Sequence, residues 1–191
     1  MSVHDTVLII GATSGIGLAL AKHLHTLGKT IIATGRRQER LLSLSTSHPS
    51  IHTSCFDNSD LTTLPSGLDA IFKQHPDIDT VIVNAGVQNM FSFLDPDPED
   101  HRLEQISKEV TTNLTAPMII AQHLIPFFIK KQSPCSLIVV SSGFAFIPVP
   151  YFPIYCPTKA ALHSFCIALR AQLSSTNTKI VEVVPPYVDT E

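Results

Sequence analysis

Tyr155 and Lys159 stand four residues apart, so a helix holding both presents a phenol and an amine on one face. A free phenol loses its proton near a pKa of about 10, and a neighbouring cation favours the ionised form. Lowering that value by about three units requires roughly 4 kcal/mol of differential stabilisation. A pair tuned in this way can give a proton to a carbonyl oxygen or take one from an alcohol. The spacing alone is common by chance. It gains meaning from a second feature, the run Gly11-Ala12-Thr13-Ser14-Gly15-Ile16-Gly17, which follows an apolar stretch over 7–10 and opens an amphipathic segment. Gly11 allows a tight turn, Gly15 lets a backbone approach a pyrophosphate, and Gly17 lets a helix pack closely on a strand. The N–H groups of that helix start, with the Thr13 and Ser14 hydroxyls, suit phosphate. A glycine turn of purely structural use is the alternative. The position between strand and helix favours dinucleotide binding.

The end of the second strand normally selects between two nicotinamide cofactors. An acid there binds the ribose hydroxyls and repels a 2′-phosphate. Here the residues are Gly35-Arg36-Arg37, with no acid. A guanidinium matches a phosphate in charge and geometry, so NADP(H) is expected over NAD(H), with Arg36 as the main contact and Arg37 as its backup. Helix-start arginines facing solvent are the other reading.

The elements that must position these residues alternate along the chain. Strands are expected over 7–10, 30–34, 51–56, 80–83, 137–140 and 180–184. Helices are expected over 16–27, 37–46, 60–74 and 158–173. A helix carrying Leu103, Ile106, Val110 and Leu114 is expected ahead of the apolar run 117–129, with a break between them. This order predicts an α/β fold: a doubly wound parallel sheet of Rossmann type, with about six strands and helices on both faces. Ligands of such sheets sit at the carboxyl ends of the strands.

These motifs resemble the short-chain dehydrogenase/reductase family. Gly11, Gly15 and Gly17 are similar to its cofactor turn, and Asn84-Ala85-Gly86 after the fourth strand to its Asn-Ala-Gly motif. Asn113, Ser142, Tyr155 and Lys159 resemble its active-site tetrad. The stretch 139–164 is similar to DltE-like reductases of that family. The resemblance implies that Ser142 hydrogen-bonds the substrate oxygen, with Ser141 the alternative, and that Asn113 holds a water in a proton relay towards Lys159. A helix-entry cap is the bland reading of Asn113. It further implies an adenine contact at Asp57 and nicotinamide or phosphate contacts around Pro185, Val188 and Thr190. Ile10 and Pro186 depart from the family pattern, where threonine and glycine are usual. Pro157 requires that the helix begin nearby. Family members continue beyond this point, so the expectation is a single NAD(P)-binding domain over 1–191 lacking most of the C-terminal substrate lobe.

Composition narrows the function classes. The net charge is −3, which argues against a broadly basic nucleic-acid binder. Residues 117–129 are interrupted by Gln122, His123 and Pro126 and are too short to span a bilayer, so no membrane partner is expected. Four cysteines without metal spacing predict reduced thiols, no metal site and a cytoplasmic location. The expected function is carbonyl–alcohol interconversion on a small molecule. A homodimer through helices near 100–130 and 155–175 is possible by the resemblance. The alternative is a cofactor-binding regulatory or assembly protein with little turnover.

Overall fold

The computed structural model describes residues 5–94 and 102–188. Six strands, β1 (Thr6–Ile10), β2 (Thr30–Gly35), β3 (His52–Cys55), β4 (Thr80–Val83), β5 (Cys135–Val140) and β6 (Thr178–Val183), pair in the order β3-β2-β1-β4-β5-β6. Every pairing is parallel. The strand order reverses between β1 and β4, which opens a crevice at their carboxyl ends.

The period-two geometry of β1 explains why helices cover both faces. Leu8 and Ile10 enter one core with Leu64 and Leu68 of α3 (Leu64–Gln74), Ile120 and Leu124 of α5 (Ala116–Lys131), and Leu162 and Cys166 of α6 (Tyr155–Gln172). Val7 and Ile9 enter the other with Ala21 of α1 (Gly15–Thr26) and Leu41 and Leu44 of α2 (Gln38–Ser47). Both sets are nearly sealed from solvent. At about 25 cal/mol per Å² of apolar surface, such two-sided burial is the main force holding the sheet between its helix layers.

Three local differences from expectation have physical causes. Helix α3 starts at Leu64 rather than near 60, because Asp60 accepts hydrogen bonds from the Thr62 N–H at 3.1 Å and the Thr63 hydroxyl at 2.7 Å. The side chain thus builds a turn that competes with helix. Those bonds, the Thr63 hydroxyl first, hold the Asp60 carboxyl below its usual range. Helix α6 starts at Tyr155 rather than Thr158, which places Pro157 in the first turn, where the missing N–H costs nothing. Finally, no break separates α4 (Arg102–Val110) from α5. A π turn over Thr111–Thr115 joins them into one continuous helical run. Such single wide turns recur at functional sites, and this one carries Asn113.

Candidate active site

The crevice at the strand ends is a cleft of about 650 Å³. Its floor is the glycine turn. Gly11 has φ of +91°, and a Cβ there would sit 2.6 Å from the Ala85 backbone, so only glycine fits. A Cβ on Gly17 would sit 2.1 Å from the Gly11 carbonyl oxygen. Asn84 locks the two sides of the crevice together by donating its amide to the Gly11 carbonyl oxygen at 2.9 Å. Ala85 and Gly86 continue the wall. Ser14 stands at the start of α1, yet its hydroxyl makes no capping bond to that helix. It accepts instead from Arg37 Nη2 at 2.6 Å, and Thr13 Oγ1 accepts from Arg37 Nε at 3.0 Å and Nη2 at 2.8 Å. The turn is therefore an electropositive cradle of backbone N–H groups backed by a guanidinium, which fits a phosphate.

Arg36 and Arg37 thus part company. Arg37 reaches inward across the turn. Arg36 is half-exposed at the cleft wall and faces Asp57 at 4.0 Å. Asp57 spends its other oxygen on the Ser59 N–H at 2.9 Å and hydroxyl at 2.7 Å. Its neighbour Asn58 lines the cleft instead, and its buried Nδ2 has no partner among the described residues. Sequence reasoning missed Asn58, since an asparagine after a short strand reads as an ordinary turn residue. Tyr187, exposed in the segment after β6, was missed in the same way. It lines the cleft with Pro185, Pro186 and Val188. Thr190 lies outside the described residues.

In the same cleft, Ser142, Tyr155 and Lys159 come together. Ser142 ends the extended segment leaving β5, and its oxygen accepts from the Phe144 N–H at 3.2 Å. Ser141 also touches the cleft, but it is buried, and its hydroxyl donates to the Val183 carbonyl at 3.4 Å. Tyr155 and Lys159 share one face of α6, with Lys159 Nζ 5.5 Å from the phenol ring centre. Lys159 is only 4% exposed, and Nζ donates to the Val140 carbonyl at 3.0 Å. Burial alone pulls its pKa down to about 8. Burial raises the Tyr155 pKa, and hydrogen bonding to Ser142 offsets only part of that rise. With Lys159 turned towards Val140 rather than the hydroxyl, Tyr155 rests as a neutral acid.

Asn113 is fully buried in the π turn. Its Nδ2 donates to the Val87 carbonyl at 2.8 Å and to Thr158 Oγ1 at 3.3 Å, while its Oδ1 accepts from the Val87 N–H at 2.8 Å. Thr158 in turn donates to the Tyr155 carbonyl at 2.7 Å. The amide therefore clamps the loop after β4 to the first turn of α6. A Cβ at Gly86 would lie 3.4 Å from Asn113 Oδ1 and 3.6 Å from Lys159 Nζ, so glycine, asparagine and lysine converge on one small volume.

A parallel sheet with this strand order, a glycine cradle at its reversal point and a Ser-Tyr-Lys cluster beside it define a nicotinamide-dependent oxidoreductase. The family model for short chain dehydrogenase matches residues 5–191, and the chain belongs to that family. It is 37% identical over 187 residues to the uncharacterized oxidoreductase DltE of Bacillus subtilis, covering 98% of this chain and 73% of that protein. Among solved structures, the closed form of a serine dehydrogenase complexed with NADP+ superposes with a TM-score of 0.85 at 24% identity, covering 97% of this chain and 74% of that one. A 3-ketoacyl-(acyl-carrier-protein) reductase from Brucella melitensis complexed with NADH gives a TM-score of 0.87 at 23% identity, covering 99% and 78%. Both kinds of nicotinamide cofactor are therefore held by this fold.

Proposed function

We propose that the protein interconverts a carbonyl and an alcohol on a small molecule, with NADP(H) as cofactor and Tyr155 as general acid and base. The observation that carries this reading is that Ser142, Tyr155 and Lys159 line the same cleft as the glycine cradle. The cofactor, bound along that cleft, supplies or accepts the hydride. Ser142 orients the substrate oxygen towards the phenol. Tyr155 holds the proton that this oxygen receives in reduction or gives up in oxidation. Lys159, nearly sealed from water, keeps two donor hydrogens for the cleft beyond the one given to Val140. Asn113 acts by holding the floor of the site rigid, and Asn58 offers an amide to the adenine end beside Asp57. Four free cysteines, three of them buried, suit a reducing cytoplasm.

The test is NADPH oxidation against a panel of ketones and aldehydes, with Tyr155→Phe as control. Tyrosine-dependent turnover of at least one carbonyl is expected. Tight NADPH binding with no such turnover would make the protein a cofactor binder of another kind.

Preference for the 2′-phosphate rests on Arg36, half-exposed at the cleft wall. Arg36→Asp is expected to weaken NADPH binding at least about tenfold more than NADH binding, since a charge is reversed where only one cofactor carries phosphate. Arg37→Ala is expected to weaken both alike, because it removes the bonds that hold Thr13 and Ser14. Titration of NADPH and NADH fluorescence on each variant checks the pair. Equal losses in Arg36→Asp would return the preference to an open choice between the two cofactors.

A further inference from the structure

Glu182 stands where strand β6 should carry an apolar residue. Side chains two apart on a strand share a face, so Glu182 points the same way as Ile180, which packs into the core that Leu162 and Cys166 of α6 enter. The Glu182 side chain is 6% exposed. Its Oε2 lies 2.7 Å from His163 Nδ1 of α6, and its buried Oε1 has no partner among the described residues. Arg170, further along α6, spends its Nε on the Ile180 carbonyl at 3.0 Å. The Cys166 thiol is pushed up to about 11, by burial first and by the Glu182 charge second. A carboxyl so placed is costly, and a β-branched apolar residue would suit the strand better. The other side of His163 meets Phe146 edge-on, with ring centres 4.6 Å apart and planes at 67°. Phe146 closes the short turn after Ser142: its N–H donates to the Gly143 carbonyl at 3.1 Å, and the Ala145 N–H to the Ser142 carbonyl at 3.0 Å. Gly143, Phe144 and Ile147 of this segment line the cleft beside Ser142. One imidazole thus joins β6, α6 and the turn after β5.

We propose that Glu182 and His163 are a positioning pair for the substrate side of the site: the carboxylate fixes the imidazole, and the imidazole braces Phe146 and the turn that presents Ser142. The inference rests on the reading of Ser142 as the group that orients the substrate oxygen. A carboxylate only accepts hydrogen bonds, so in the neutral ring the hydrogen sits on Nδ1 and Nε2 is the free nitrogen. A ring otherwise able to rotate is thereby held at one angle, and its edge-on contact with Phe146 depends on that angle. The same link serves the opposite wall. Glu182 lies three residues before Pro185, whose carbonyl accepts from the Gly143 N–H at 3.3 Å. The pair therefore ties together the segments after β5 and after β6, both of which line the cleft. A hydroxyl that must meet the substrate oxygen in one geometry benefits from such bracing, since small misplacements are costly in rate.

The first readings need no substrate. In protein carrying nitrogen-15 histidine, the His163 resonances are those lost in His163→Phe, and they are read at about pH 9, above the ordinary imidazole range. The ring hydrogen is expected on Nδ1 in wild type and in Phe146→Ala, and mainly on Nε2 in Glu182→Val. Hydrogen exchange of the amides at 144–147 reports the turn. Glu182→Val and Phe146→Ala are each expected to speed it about fivefold or more, while β1 keeps its wild-type protection. Both replacements spare the fold, since valine suits a strand and Phe146 is half-exposed. A wild-type His163 with its hydrogen on Nε2, or exchange at 144–147 that matches wild type in either folded variant, overturns the inference. With a carbonyl that the protein turns over, Glu182→Val is expected to lower kcat/KM severalfold and leave NADPH binding unchanged. An unchanged kcat/KM beside a loosened turn also overturns it. Failure of every carbonyl in the panel would instead overturn the proposed function, and it leaves the nitrogen and exchange readings as they are.

Discussion

Tyr155→Phe leaves the protein folded and competent for NADPH, and lowers turnover of any carbonyl substrate by about 10²- to 10⁴-fold. The loss corresponds to roughly 3–5 kcal/mol of transition-state stabilisation. The phenyl ring keeps its edge-on contacts with Phe144 and Phe152, whose ring centres lie 6.5 and 6.4 Å away, so the shape of the substrate end survives. What disappears is one O–H donor at the point where the substrate oxygen gathers charge. The change leaves the glycine cradle and the Arg37 bonds to Thr13 and Ser14 untouched, so cofactor affinity should stay within a few-fold of wild type. Steady-state kcat/KM, beside a fluorescence titration of NADPH, separates the two effects. The pH profile carries a second check. Reduction requires the protonated phenol, and burial raises its pKa above the usual 10. The reductive kcat/KM should therefore stay level through neutral pH and fall only on the far alkaline side. Near-normal turnover in the phenylalanine variant would remove Tyr155 from the mechanism.

Why this site could be read from sequence, and where the reading stopped, follows from the kinds of interaction involved. Gly11, Gly17, Tyr155 and Lys159 are legible because their roles depend on local geometry, namely a positive φ, a close approach and a four-residue helical spacing. The doubly wound parallel sheet was likewise implied by the alternation of strands and helices, since right-handed crossovers leave few topologies. The rest depends on contacts between residues far apart in the chain. Arg36 and Arg37 look equivalent in sequence, and only the position of Thr13 and Ser14 turns Arg37 inward. The Tyr155 pKa was expected to fall under two cations, Lys159 and the positive nicotinamide of the oxidised cofactor. Without the cofactor, burial of the ring raises it, and the ammonium is turned to the Val140 carbonyl. A break was expected between the helix carrying Leu114 and the apolar run 117–129. A π turn, clamped by Asn113 on Val87 and Thr158, takes its place. Glu109 carried no sequence signal at all, as an acid in a helix is usually solvated. Its burial, at 1% exposed, is announced by no local pattern.

The buried ammonium leads to a prediction whose two halves point in opposite directions. Lys159→Met should abolish detectable turnover while making the cofactor-free protein more stable at neutral pH. The Lys159 pKa falls from 10.5 to about 8, with burial as the cause, so the folded protein holds the cation less readily than the unfolded chain does. Below about pH 8 the charged side chain therefore costs roughly 3 kcal/mol. Methionine fills a similar volume without charge, at the loss of the Val140 hydrogen bond, which is worth about 1 kcal/mol. The net gain is about 2 kcal/mol, or a rise in Tm of about 4–8 °C for a chain of this size. The sign of its pH dependence is set by the depressed lysine. The wild type gains stability as the pH climbs from about 8 towards 10.5 and the amine becomes neutral, so the advantage of methionine should shrink over that window. Thermal melts of both proteins from neutral pH to about pH 10 measure it. A methionine variant less stable than wild type at neutral pH, with the gap constant across that range, would mean that the ammonium is compensated in place. Selection would then have paid nothing in stability for it. The expected result identifies Lys159 as a group that strains the resting fold and is retained for what it does at the cleft.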